Sequence, residues 1–221
     1  MQWSLVTGGA KGLGAEICAA LAERGHHLLV HYRRNDPSDT LNKCPNAQAV
    51  QGDLSTMEGL EEFIQQCAPY EIRYLVNNVG TYATGSPLEG DWPALFHTNL
   101  HVPVALSRAF SQSIVKFKGS ILNLGVAGLG HVPADVYSTA YTSAKLSLLA
   151  FTKALAKQLA PEGVTVNMLS PGYLENSIDL PKTFPMKRPA TLREAAEAAV
   201  FLLKNPYITG QNVEIAGGVR L

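Results

Sequence analysis

Tyr141 and Lys145 stand four residues apart in VYSTAYTSAK (136–145), and Tyr137 stands four residues before Tyr141. If this stretch is helical, two phenols and an ammonium share one face. Such a row is also what an ordinary half-buried helix face with a snorkelling lysine looks like. As chemistry it would be a proton-transfer device. A free phenol, with a pKa near 10, is poorly matched to neutral pH, and a cation one helical turn away favours its ionised form.

A second group of residues could hold a phosphorylated ligand. VTGGAKGLG follows an apolar run and opens a helical pattern, with Gly8, Gly12 and Gly14 spaced so that backbone can approach a pyrophosphate at a helix N-terminus. Glycines also make plain tight turns, but a position after the first strand of a doubly wound sheet is where a dinucleotide sits. The second strand ends VHYRRN, with His31, Arg33 and Arg34 where an acidic residue would bind an unphosphorylated ribose. Together with Lys11 inside the glycine loop, these groups suit a 2′-phosphate, so the expected cofactor is NADP(H) rather than NAD. The alternative is that the two arginines are solvated charges at a strand end. Asp53 in GDLS is placed either to bind an adenine amino group or to start the next helix.

The elements that must position these residues alternate along the chain. Apolar runs at 3–6, 27–32, 47–51, 73–78, 120–125, 164–169 and 212–217 are separated by helical patterns at about 13–25, 56–67, 92–116, 137–160 and 191–204. The strands lack polar alternation, as expected when both faces are covered. The expected fold is therefore α/β, a single-domain Rossmann fold over 1–221 with a doubly wound parallel sheet of about seven strands and helices on both faces. The Pro-rich stretch DLPKTFPMKRP (179–189) is the one long irregular segment after the first half, and 173–190 is read as a substrate lid or a plain connection.

Composition narrows the function. The 221 residues are 46% hydrophobic and 16% charged, enough for one well-buried domain. Lys+Arg and Asp+Glu both number 18, so no global field recruits nucleic acid or an anionic membrane, and a small-molecule partner is expected. Cys18, Cys44 and Cys67 show neither a disulfide framework nor a zinc-ligand pattern, and no metal is expected. With the first strand starting near Gln2 and no apolar run of membrane-spanning length, the expected location is cytoplasmic.

Taken in order along the chain, TGGAKGLG, NNVG (77–80), Asn99 in HTNL, YTSAK (141–145), SPG (170–172) and the ending ITGQNVEIAGG (208–218) resemble the short-chain dehydrogenase/reductase family. The resemblance implies that Tyr141 is the reactive tyrosine and that Tyr137 is a packing or pocket residue. It implies that Lys145 holds the nicotinamide ribose and lowers the Tyr141 pKa, and that Asn99 kinks its helix to hold a water that relays protons to Lys145. The implied cofactor contacts are Gly8, Lys11, Gly12, Leu13, Gly14, His31, Arg33, Arg34, Asp53, Leu54, Asn78, Gly80, Tyr141, Lys145, Pro171 and Gly172. Asn77 would stabilise the sheet, and Asn176 or Ser177 would stand in for a threonine the family carries after SPG. A homodimer or homotetramer is implied, through helices at about 92–116 and 137–160 and the last strand.

One family feature is missing. The serine that normally follows the fifth strand falls on Gly125 or Val126 in ILNLGVAGLG, and neither side chain can donate. Ser138, Thr139 or His131 could supply a replacement, though Ser138 could equally cap the helix. Losing one such donor costs about 2.7–4 kcal/mol of transition-state stabilisation, which weakens a site without abolishing it. The leading expectation is an NADPH-dependent reductase acting on a C=O or C=N carbon with Tyr141 as general acid. Its substrate would be a carbonyl compound, a pterin or a 3-oxoacyl thioester, and a slot lined by Tyr82, Leu129 and His131 would favour a flat ring. The alternative is an NADP(H)-binding protein of the same fold with little turnover, acting as a redox sensor or assembly partner.

Overall fold

The structure, a computed structural model, describes residues 1–131, 136–178 and 180–219. Seven parallel strands form one sheet: β1 (Gln2–Val6), β2 (His27–Tyr32), β3 (Ala47–Gln51), β4 (Glu71–Asn77), β5 (Ser120–Leu124), β6 (Thr165–Pro171) and β7 (Asn212–Ile215). Their order is β3-β2-β1-β4-β5-β6-β7. The chain reverses direction across the sheet between β1 and β4, and the crevice at the carboxyl ends of those strands is where an open α/β sheet binds its ligand. No helix among the described residues is long and apolar enough to cross a membrane.

The helices are α1 (Gly12–Ala22), α2 (Ser38–Lys43), α3 (Met57–Cys67), α4 (Trp92–Phe96), α5 (Val102–Lys116), α6 (Thr139–Leu159) and α7 (Leu192–Lys204). Period-two alternation within β1, β4 and β5 feeds two cores. Leu5, Leu75 and Ile121 pack with Phe63, Leu106 and Ile114 of α3 and α5 on one face. Val6, Val76 and Leu122 pack with Leu21 of α1 and Val200 of α7 on the other. Each such fully buried large side chain contributes about 1.5–3 kcal/mol, so the two layers hold the sheet edges in fixed register.

Local signals explain the helix starts. The Thr191 hydroxyl accepts from Glu194 N, and the Glu194 carboxylate accepts from Thr191 N, a capping box that begins α7. Thr56 accepts from Gly59 N at the start of α3. The helix expected over about 92–116 is interrupted: His97–His101 forms a π-helical turn between α4 and α5, with the Val102 amide reaching back to His97 O. Asn99 lies in that turn.

Helix α2 has no counterpart in the expected pattern. It has six residues and buries only Thr40, so it leaves no hydrophobic period to read. Its Thr40 hydroxyl nevertheless donates to Gly9 O at 3.1 Å, tying it to the glycine loop.

Candidate active site

The glycine loop joins β1 to α1, with Gly8 and Gly12 at φ +65° and +56°, the left-handed region that favours glycine. Gly14 is required for a different reason, since a Cβ there would stand 2.2 Å from Gly8 O. The loop is braced from beneath. Asn78 Nδ2 donates to Thr7 O at 2.9 Å and Gly8 O at 3.2 Å, while Thr7 Oγ1 accepts from the Asn78 and Val79 amides. Thr7 was not legible as a site residue from sequence, because a single threonine at a strand end has no motif of its own.

His31 is a correction to the sequence reading. Its side chain is buried, Nδ1 accepts from Gly8 N at 2.9 Å, and Nε2 lies 3.1 Å from Gly52 O. Both ring nitrogens are engaged beneath the loop, so His31 shapes the glycine turn instead of joining the cations at the surface. Lys11, Arg33 and Arg34 are exposed, at or after the carboxyl ends of adjacent strands β1 and β2. Arg33 Nη1 reaches Asp53 Oδ1 at 3.5 Å. Asp53 also accepts from the Ser55 amide and hydroxyl, and these bonds first, then Arg33, hold its carboxyl below the usual range. The N-cap of α3 is Thr56, three residues past Asp53. Leu54 buries its side chain in the core, and its carbonyl faces His97 Nε2 at 3.1 Å.

At the other end of the crevice a cavity of about 160 Å³ brings together Leu13, Asn78, Gly80, Tyr82, Asn99, Leu124, Gly125, Tyr141, Lys145 and Pro171. Lys145 is buried on α6, and its Nζ donates to Leu124 O at 2.7 Å. Burial lowers the Lys145 pKa to about 8, because an ammonium removed from water loses its hydration. Tyr141 is pushed up to about 12, first by burial and then by the neighbouring Tyr82 phenol. This reverses the expected lowering by Lys145. The ammonium sits over the Tyr141 ring, 5.6 Å from its centroid, and burial outweighs it.

The ladder of three also dissolves. Helix α6 begins at Thr139, so Tyr137 lies outside it, three-quarters exposed, and its carbonyl accepts from Gly85 N. Tyr82 takes the place expected of a neighbouring phenol, meeting Tyr141 edge to face with centroids 5.1 Å apart. Ser138 occupies the N-cap position of α6, with its Oγ 3.4 Å from Thr142 Oγ1.

Asn99 is fully buried in the π turn. Its Nδ2 donates to Thr81 O at 2.8 Å and Leu95 O at 3.0 Å, while Oδ1 has no partner among the described residues. Gly80 is the backbone gap beside it, since a Cβ there would stand 2.5 Å from Asn99 Oδ1 and 3.2 Å from Lys145 Nζ. Asn77 donates across β4 and β5 to Asn123 Oδ1 at 2.8 Å. Pro171 ends β6, and its carbonyl accepts from Ala127 N, while Gly172 N donates to Ile215 O. Asn176 lies against the glycine loop, 3.2 Å from where a Gly12 Cβ would be, whereas the Ser177 hydroxyl is spent on Leu174 N.

Gly125 explains why a serine there is unsupported: a Cβ would lie 2.3 Å from Ser170 Oγ and 2.5 Å from Met168 Sδ. Val126 packs instead with Leu129, Leu148 and Met168. That cluster removes Leu129 from the expected flat-ring slot, and His131 is exposed. The ends of the expected lid are joined, with Glu175 N donating to Ala190 O and Ala190 N to Tyr173 O. Asp179 within it lies outside the described residues.

These features fit a dinucleotide: a braced glycine turn at a helix N-terminus, exposed cations beside it, and a backbone gap facing a buried lysine and an orphaned amide oxygen. A family model described as short chain dehydrogenase matches residues 2–183. A 3-oxoacyl-[acyl-carrier-protein] reductase of Synechocystis sp. is 31% identical, covering 99% of this chain and 96% of that protein. Carbonyl reductase family member 4 of Danio rerio is 28% identical, covering 99% and 98%. Among solved structures, acetoin dehydrogenase from Enterobacter cloacae matches with a TM-score of 0.87 at 26% identity, covering 98% of this chain and 94% of that one.

Proposed function

The chain belongs to the short chain dehydrogenase family, and from that premise we propose that it is an NADPH-dependent reductase of a small carbonyl substrate with Tyr141 as general acid. The observation that carries the reading is the Lys145 ammonium buried against Leu124 O in the same cavity as Tyr141, Gly80 and Asn99. Burying a charge is costly, and packing alone supplies no reason to do it at the mouth of a ligand crevice.

In this reading the backbone of Gly12, Leu13 and Gly14 holds the pyrophosphate at the start of α1, and Gly8, whose amide is bonded to His31, shapes the turn beneath it. Asp53 and the Leu54 backbone line the adenosine side, Asn78 and Gly80 lie between it and Lys145, and Pro171 and Gly172 line the nicotinamide side. Lys11, Arg33 and Arg34 take the 2′-phosphate. The reduced nicotinamide, when bound, supplies the hydride. Tyr141 holds the proton at its phenol oxygen: with its pKa raised, the phenol stays protonated at neutral pH and is set to donate to the substrate oxygen or nitrogen. Lys145 holds positive charge beside that oxygen, offsetting the cost of the phenolate formed. The unpartnered Asn99 Oδ1 is placed to accept from a water that returns a proton toward Lys145.

Carbonyl substrates are supported by the names of the relatives, and 3-oxoacyl thioesters are the first to test. The flat-ring alternative is weakened by the packing of Leu129 into the core. The three buried free thiols suit a cytoplasmic protein, and a homodimer or homotetramer is proposed on the family resemblance. A second reading, cofactor binding with little turnover, is favoured by the crowding at Gly125, which leaves no room for the usual serine.

The deciding experiment is steady-state oxidation of NADPH, with NADH beside it, across 3-oxoacyl thioesters, small diketones, quinones and dihydropteridines. Turnover that prefers NADPH, with the preference lost in Arg33→Gln/Arg34→Gln, supports the reductase. NADPH binding with no turnover on any of them favours the second reading.

A further inference from the structure

At the amino-terminal end of the sheet, remote from Tyr141, a second cavity of about 360 Å³ opens between the start of β1, the end of α1, β4 and the end of α7. Arg24, Arg73, Lys204 and His26 line it, and no aspartate or glutamate does. Arg73, Lys204 and His26 converge on Tyr74. The Arg73 guanidinium carbon is 5.1 Å from the Tyr74 ring centroid, Lys204 Nζ is 5.8 Å from it, and the His26 ring is 5.2 Å from it.

The cations are not equally committed. Arg24 is spent: it pairs with Glu197 at 2.5 Å and donates to Ala20 O at 2.7 Å. Arg73 donates from Nη1 only to the neutral Gln2 Oε1, and its buried Nε has no acceptor among the described residues. Lys204 has no carboxylate partner among them. His26, held by Ser4 Oγ at 2.9 Å, is pushed down to about 4, first by burial and then by Lys204, Arg73 and Arg24. Complementing helix dipoles would explain Arg24 and Lys204, which lie at the carboxyl ends of α1 and α7. It does not explain Arg73, which sits on β4, or a cavity wall without one carboxylate.

We propose that this cavity is an anion site distinct from the cofactor crevice, taking a phosphate dianion, free or as the monoester of a small metabolite, with Arg73 and Lys204 as its ligands. Arg73 supplies directed N–H donors and Lys204 a mobile point charge, the pairing that phosphate groups take. The cavity is wide enough to leave space beside the phosphate for the rest of a monoester.

The test is calorimetric titration of orthophosphate and of glycerol 3-phosphate, at low ionic strength matched with chloride. It uses the Arg33→Gln/Arg34→Gln protein, so that the cofactor edge does not contribute. One saturable site is expected, weakened about tenfold by Arg73→Gln or Lys204→Gln and retained in Lys204→Arg. Melting curves check that each variant is folded. Tighter binding of the ester than of orthophosphate identifies a phosphorylated metabolite as the occupant, and equal binding identifies free phosphate. No saturable binding, or affinity unchanged in folded Arg73→Gln and Lys204→Gln proteins, overturns the proposal.

Discussion

His31 Nδ1 accepts the Gly8 amide hydrogen at 2.9 Å, so the proton of the neutral ring belongs on Nε2, facing Gly52 O. The glycine turn therefore depends on an uncharged imidazole. Burial, the largest influence, holds the His31 pKa down to about 4 from an ordinary 6.5. Between those values the unfolded chain binds a proton that the folded protein refuses, so stability falls as pH drops through the window. His26, also held down to about 4, acts in the same direction. Denaturant midpoints from pH 7.5 to 4.5 are expected to decline. His31→Gln should remove part of the slope and His26→Gln much of the rest.

Under the proposed mechanism Lys145 sets the alkaline limit of activity. Its pKa is lowered to about 8 by burial, so the ammonium is charged below that value and lost above it. Reductase kcat/KM is expected to fall as pH rises through about 8, with Lys145→Met inactive at every pH. A profile flat to pH 10 would show that the charge on Lys145 is not needed.

Gly80→Ala puts a methyl group 2.5 Å from Asn99 Oδ1 and 3.2 Å from Lys145 Nζ. Overpacking of this kind costs about 1–3 kcal/mol. The expected result is a lower melting temperature together with weaker NADPH binding, read by fluorescence titration.

Gly125→Ser is expected to fail as a repair of the absent serine. The added Cβ meets Ser170 Oγ at 2.3 Å and Met168 Sδ at 2.5 Å, contacts with a side chain already bonded to Asn212 Oδ1 and with a buried core residue. Thermal melting should show a loss of about 1–3 kcal/mol, with no gain in turnover.

The sheet was legible because its central strands are apolar runs covered on both faces, whereas the edge strands β3 and β7 are largely open; the spans 27–32 and 47–51 coincide with β2 and β3. Helix ends are less legible: the four-residue spacing of Tyr137, Tyr141 and Lys145 continues past the end of the helix, and α6 starts at Thr139. The family resemblance singled out Tyr141, Lys145 and Asn99 as candidates, and their meeting in one cavity needed the fold. What sequence could not convey was direction. His31 precedes two surface arginines by only two and three positions, yet its ring is buried, because it lies within β2 while they follow the strand's end, and its ring has Gly8 and Gly52 to satisfy. The balance of burial against charge at Tyr141 was equally hidden, since both depend on how deep α6 lies against Leu124.

The central claim, that Tyr141 transfers the proton, is tested most directly by kcat and NADPH affinity of Tyr141→Phe on the best substrate found. General acid catalysis contributes about 100- to 10,000-fold, so kcat should fall within that range while the NADPH dissociation constant stays within about threefold of wild type. Turnover within a few-fold of wild type would contradict the assignment and move the proton donor elsewhere in the cavity.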